Sequence, residues 1–252
     1  MFNTVLESSE RVFLCEMKTP RANADVYKKL AKLAYKKHAG EIEKQLKGTP
    51  FQLDTSLSDR EHKVFYDPNS KKVVVAYRRT DPRDRFSVLG DLRSDYNILI
   101  GKEGRDRRFK RATKQFKSVI DKYQQQGYTF DTTGHSLGGA LATHVTKKFP
   151  NRVSENLNYS RGSGLLEPFR TRPQNTWDYS HAKDPISLGA RLSKDVDKSK
   201  QHSLVSHTRV KNMVNAHDIE RLQTRFEEPE QEQKVSNHWV PDLTGNSSLQ
   251  YM

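Results

Sequence analysis

The stretch Tyr128–Ala142, YTFDTTGHSLGGALA, decides the reading of the whole chain. Tyr128–Thr133 has the aromatic and β-branched residues of a strand, and Ala140–Phe149 has the composition of a helix that stops before Pro150. Between them stands Gly134-His135-Ser136-Leu137-Gly138-Gly139. A serine with glycine two residues away on either side, set between a strand and a helix, is the G-x-S-x-G elbow. Its serine occupies a strained turn that lifts the hydroxyl clear of the sheet. Any side chain at Gly134 or Gly138 would collide with neighbouring backbone. The first amides of the following helix favour a developing negative charge. Ser136 is therefore the candidate nucleophile, and the Leu137 N–H, one residue on, is a candidate oxyanion donor. His135 points away from the hydroxyl by strand alternation and reads as structural or as a pocket wall.

Outward from the elbow, strand and helix signals alternate. Residues 23–46 place Val26, Leu30, Leu33, Ala34 and Ile42 near helical spacing with lysines opposite, predicting one amphipathic helix or two short ones. Such a helix can lie on a membrane or cover a core; the core reading is preferred. His62–Asp67 and Lys71–Arg78 read as neighbouring strands around the turn Pro68-Asn69-Ser70, the second central because KKVVVAYR is continuous in β-branched residues. Residues 81–101 read as a long loop. From about 104 to 126, Phe109, Ala112, Phe116, Val119, Ile120 and Tyr123 recur at three- and four-residue steps, with Gly127 as the stop. The outer face of that helix carries Lys102, Arg105, Arg107, Arg108, Lys110, Arg111, Lys114 and Lys117. Val153–Ser160, Thr176–His181 and roughly Ser203–Val214 are further strand runs. The alternation predicts an α/β protein with a mostly parallel central sheet flanked by helices.

A serine nucleophile needs a base and an acid that orients it, and on this kind of sheet they follow in the order Ser, Asp or Glu, His. Asp178, Asp184, Asp195 and Asp197 lie downstream. Asp184 is preferred because it follows the strand TWDYSHA and precedes Pro185, which places a carboxylate at a strand's carboxyl end. Of His202, His207, His217 and His238, His217 is preferred, since it follows VKNMV and opens the segment DIERL. The second oxyanion donor must come from the loop after an earlier strand, where Arg79-Thr80 follows VVVAYR; Thr80 offers an amide and a hydroxyl.

Composition removes several classes. With 252 residues, 44 Lys+Arg and 31 Asp+Glu, the net charge is +13. Residues 226–252 hold Glu227, Glu228, Glu230, Glu232 and Asp242 against Lys234. That tail is net −4, leaving the body at about +17, a field that attracts phospholipid headgroups or nucleic-acid phosphates. No zinc-finger spacing or RNP-like motif is present, so nucleic acid is the weaker partner. No run reaches the roughly 18 apolar residues of a membrane span, and the N-terminus lacks a basic signal-peptide opening, so an intracellular protein, with peripheral membrane contact at most, is expected. Cys15 is the only cysteine, which excludes an internal disulfide and a Cys-based metal site. The expected layout is one catalytic domain over residues 1–222 and an acidic tail over 223–252.

Over about residues 50–222 the chain resembles the class 3, fungal-type lipases of the α/β-hydrolase fold. AYRRT is similar to that family's strand ending in arginine-glycine-threonine, DLRSDYNI to its aspartate-containing loop, and TGHSLGGALA to its elbow. NYSRGSG, HAKDPIS and NAHDIERL resemble the segments that follow, the last two bearing the acid and the histidine. The resemblance implies Ser136 as nucleophile, Asp184 as acid, His217 as base, Thr80 with Leu137 as oxyanion donors, and hydrolysis of acylglycerol or phospholipid esters without metal or organic cofactor. Arg79 stands where the family has glycine, and residues 81–108 are charged where secreted lipases carry an apolar flap. Arg79 implies a different path for the oxyanion loop and weak activity. The missing apolar flap argues against interfacial activation on neutral fat, and the basic residues around that segment suit an anionic phospholipid surface better. Both departures also motivate an alternative: a lipase-fold protein with a weak or lost site that binds anionic surfaces through its basic face. In style the chain is similar to lipase-like proteins of large DNA viruses.

Overall fold

The computed structural model describes residues 22–78, 107–162, 173–181 and 201–204, together with Asp184, Ser187 and Ile219. Two helices come first, α1 (Ala24–Leu33) and α2 (Ala39–Leu46). They are followed by β1 (Gln52–Leu53), β2 (His62–Asp67), β3 (Lys72–Tyr77) and the long helix α3 (Arg107–Tyr123). Then come β4 (Thr129–His135), α4 (Leu137–Lys148), β5 (Val153–Tyr159), β6 (Thr176–His181) and β7 (Gln201–Leu204).

The seven strands form one sheet in chain order, β1-β2-β3-β4-β5-β6-β7. β1 to β3 pair antiparallel and β3 to β7 pair parallel. The continuous valine run of β3 has a direct cause. Val73, Val75 and Tyr77 enter a core with Phe109, Phe116 and Val119 of α3 and Leu141, Ala142 and Val145 of α4. The alternate residues Val74 and Ala76 enter a second core with Tyr27, Leu30 and Leu33 of α1 and Ile42 of α2. A strand covered on both faces needs apolar residues at every position. Residues 23–46 thus form two helices whose apolar stripe covers the sheet, in agreement with the core reading of that segment.

Several boundaries differ from those read in the sequence. β4 runs to His135 and α4 begins at Leu137 rather than Ala140, because the elbow turns within one residue and its glycines, weak helix formers, already lie inside the helix. The last strand covers Gln201–Leu204 rather than starting at Ser203, and 205–214 lies outside the described residues. The two-residue β1 has no apolar alternation to announce it. Elsewhere the pattern holds: Gly127 ends the α3 segment with φ of 76° in the left-handed region that glycine adopts freely.

The register of β4 on β5 shifts between Phe130 and Asp131. There the buried Asp131 carboxylate accepts the Glu155 N–H at 2.8 Å, the Tyr27 hydroxyl of α1, and the Lys72 ammonium at 3.1 Å. A buried carboxylate with three donors is compensated, and this one ties β3, β4, β5 and α1 at the amino end of the sheet, opposite the elbow.

Candidate active site

Ser136 sits between β4 and α4 with φ of 57° and ψ of −126°, a backbone conformation that costs on the order of 1–3 kcal/mol for a residue other than glycine. The surroundings hold it there. Its N–H donates to the Tyr159 carbonyl at the end of β5 (3.1 Å). Its carbonyl accepts from Gly139 (3.0 Å), Ala140 (3.3 Å) and Gly162 (3.0 Å). The two elbow glycines are demanded by contact rather than by flexibility. A Cβ on Gly134 would lie 2.3 Å from the Gly138 carbonyl carbon, and one on Gly138 would lie 2.2 Å from the Tyr77 carbonyl oxygen. Strand β3, the elbow and helix α4 therefore meet backbone to backbone. Leu137 is the first residue of α4, where amide groups have no acceptor within the helix and the helix dipole favours negative charge. Its side chain is buried in the core.

Asp184 lies three residues past the end of β6, fully buried, with its N–H donating to the His181 carbonyl at 2.9 Å. The Ser187 hydroxyl donates to its Oδ2 at 2.7 Å. The elbow at the carboxyl end of β4 and the turn at the carboxyl end of β6 are two strand spacings apart, about 10 Å across the sheet. Both face the edge where open α/β sheets bind ligands. Asp178, the rival acid, is inside β6 and committed elsewhere: Arg161 Nε donates to its Oδ2 at 3.0 Å and Asn158 Nδ2 to its Oδ1 at 3.0 Å. Of the rival histidines, His202 falls within β7, paired with Tyr179. Arg79, Thr80, Asp195, Asp197, His207, His217 and His238 lie outside the described residues. Ile219, two residues past His217, is buried in the core shared with α1.

His135 is half-buried. Its Nδ1 is 3.2 Å from the Tyr35 hydroxyl, and the two rings meet edge to face with centroids 6.1 Å apart. Tyr35 in turn carries the Arg78 guanidinium over its ring and accepts Arg78 Nη1 at its carbonyl. His144, on α4, packs edge to face on Phe109, and burial, aided by Lys148 and Lys147, pushes it down to about 4. It is neutral at physiological pH and belongs to the α3–α4 contact, not to the elbow. Among the described residues, no group of three or more His, Cys, Asp or Glu could hold a metal ion.

Sequence reasoning missed the supports of the site. Ser187 was discoverable, since a serine three residues after an aspartate before proline is a side-chain turn signal. Arg161 and Asp178 gave no signal as a pair, 17 positions apart. They form a buried ion pair beneath the elbow: a Cβ on Gly139 would meet the Arg161 side chain at 3.2 Å. Arg161→Met leaves Asp178 buried with its main counter-charge gone, so unfolding free energy should drop by about 3 kcal/mol. The double change with Asp178→Leu should recover most of it. A denaturant titration in which the single variant matches the parent would contradict this role.

Strand order, crossover helices and the strained serine between β4 and α4 are those of the α/β-hydrolase fold. Residues 103–161, which hold α3, β4, the elbow, α4 and β5, match the family model described as lipase (class 3). In overall structure the chain is similar to the Lip2 lipase of Yarrowia lipolytica, at 15% identity and a TM-score of 0.44, over 72% of this chain and 76% of that one. It is also similar to a triacylglycerol lipase from Penicillium expansum, at 14% identity and a TM-score of 0.40, over 78% and 81%. No curated protein sequence matches the chain significantly. No helix among the described residues is long and apolar enough to cross a membrane.

Proposed function

We propose that the protein is a serine carboxylic-ester hydrolase acting on lipid esters, acylglycerols or phospholipids, through an acyl-enzyme. The observation that carries this reading is the built elbow: a serine at φ 57° held by four backbone hydrogen bonds and by two glycines that tolerate no Cβ. Backbone strain kept in this way is expected where it serves chemistry. The match of residues 103–161 to class 3 lipases supports lipid esters as the substrate class.

In the proposed mechanism the base, His217, takes the Ser136 proton as Oγ attacks the ester carbonyl. Asp184 holds the imidazole in its working tautomer and stabilises the imidazolium. The Leu137 N–H and Thr80 receive the oxyanion, His217 returns the proton to the leaving alcohol, and water then releases the acid by the same steps reversed. The Ser187 hydroxyl donates to Asp184 Oδ2 and helps to orient the carboxylate. No step calls for a metal or organic cofactor. The alternative of a decayed binding scaffold has no support from the site, because a chain released from catalysis has no reason to keep the strained serine.

The experiment is initial-rate hydrolysis of a short-chain soluble ester, and of a phospholipid in mixed micelles, by the parent chain and by Asp184→Asn and His217→Ala. Each variant is expected to lose about a thousandfold or more in kcat with its fold intact. Full activity in either variant removes that residue from the triad, and no activity in the parent with any ester removes the reading.

A further inference from the structure

We infer that the exposed stripe of α3 is a docking surface for an anionic phospholipid bilayer, which delivers substrate to the Ser136 edge; this rests on the lipid-ester reading above. Arg107, Lys110, Lys114 and Lys117 recur at steps of three, four and three, so they lie along one face of the helix over about 15 Å. All four are exposed. None makes an ion pair among the described residues, whereas their neighbours Arg111 and Lys122 pair with Glu61 and Asp54.

The stripe works against the helix that displays it. Like charges one turn apart repel. The first turn contains no acid, so Arg107 and Arg108 stand at the positive end of the helix dipole. α3 persists because its opposite face buries Phe109, Ala112, Phe116, Val119, Ile120 and Tyr123. A row of cations that opposes folding and pairs with no acid among the described residues is suited to an external anion.

Its placement fits a surface that feeds the site. Arg111 reaches Glu61, whose carbonyl accepts the Arg78 N–H at 3.1 Å just past the end of β3. The first turns of α3 therefore lie at the carboxyl end of the sheet, the end that carries the elbow. The exposed positions of the helix carry no aromatic residue on which unpaired bases could stack, which favours a bilayer over single-stranded nucleic acid. Clustered Lys and Arg near a bilayer are held by anionic lipid over about a Debye length, so binding should be strongly salt-dependent.

The test uses the full chain, phosphatidylcholine vesicles with and without phosphatidylserine, and sedimentation at low and high salt. Two variants are compared. One changes Arg107, Lys110, Lys114 and Lys117 to Gln; the other changes Lys37, Lys44, Lys47 and Arg152 to Gln, removing the same charge elsewhere. The parent and the second variant should bind phosphatidylserine vesicles, and lose them in high salt. The stripe variant should bind at least tenfold more weakly while hydrolysing a soluble ester at the parent rate. Equal loss in both variants means that net charge alone acts, and overturns the proposal. So does absence of vesicle binding by the parent, or loss by the stripe variant of duplex nucleic-acid binding with vesicle binding unchanged. Hydrolysis of the soluble ester, read in the same samples, separates failure of the docking surface from failure of the ester-hydrolase reading.

Discussion

Ser136→Ala should abolish ester hydrolysis, lowering kcat by at least about a thousandfold and leaving only the residual catalysis that binding and oxyanion donors supply. The argument starts from the backbone. At φ 57° and ψ −126° the side chain is presented at the apex of the turn, and the Ser136 carbonyl and N–H are already engaged with α4, β5 and Gly162. Removing the hydroxyl takes away the reacting atom and leaves those backbone bonds untouched. The variant should therefore fold like the parent, with an unchanged denaturation midpoint. Initial rates on a soluble ester, set beside a urea titration of the same preparation, provide the check. A variant that keeps most of its rate places the nucleophile elsewhere.

Gly138→Ala is expected to do the reverse, damaging the fold and activity together. Its Cβ would stand 2.2 Å from the Tyr77 carbonyl oxygen, 2.7 Å from the Tyr77 carbonyl carbon and 3.0 Å from the Arg78 Cα. All three are main-chain atoms that cannot rotate away. Relief requires α4 to move off β3, across a core in which Leu141, Ala142 and Val145 pack on Val73, Val75 and Tyr77. Overpacking of this kind costs about 3 kcal/mol or more, against a total stability of roughly 5–15 kcal/mol. Gly134→Ala meets the same wall from the other side, 2.3 Å from the Gly138 carbonyl carbon. Chemical denaturation of Gly138→Ala gives the number, and a variant within about 0.5 kcal/mol of the parent would show that the elbow is not closed as described.

The elbow was readable because its physics is local. Five consecutive residues, with strand composition before and helix composition after, specify a turn that only glycine at Gly134 and Gly138 permits. The central place of β3 was readable for a similar reason: a strand with two covered faces is apolar along its buried length, and VVVAY, after the half-buried Lys72, is. What escaped the sequence depends on pairs far apart in the chain. Arg161 finds Asp178 only after β5 and β6 lie side by side. Tyr35 reaches His135 only because the break between α1 and α2 falls over the end of β4. The choice of Asp184 over Asp178 rested on Pro185 and chain order, and the fold adds a reason, since Asp178 is consumed by Arg161 and Asn158 while Asp184 stands past the strand end with Ser187. For His217 and Thr80, chain order, local context and family resemblance remain the support.

The measurement that bears most directly on the central claim is reaction of the full chain with a fluorophosphonate, followed by peptide mapping. The nucleophile's Oγ displaces fluoride and becomes phosphonylated only where a base and oxyanion donors are assembled around it. The label is expected on Ser136 alone, absent in Ser136→Ala and strongly slowed in His217→Ala. A folded protein that takes no label, or takes it at another residue, would contradict the account.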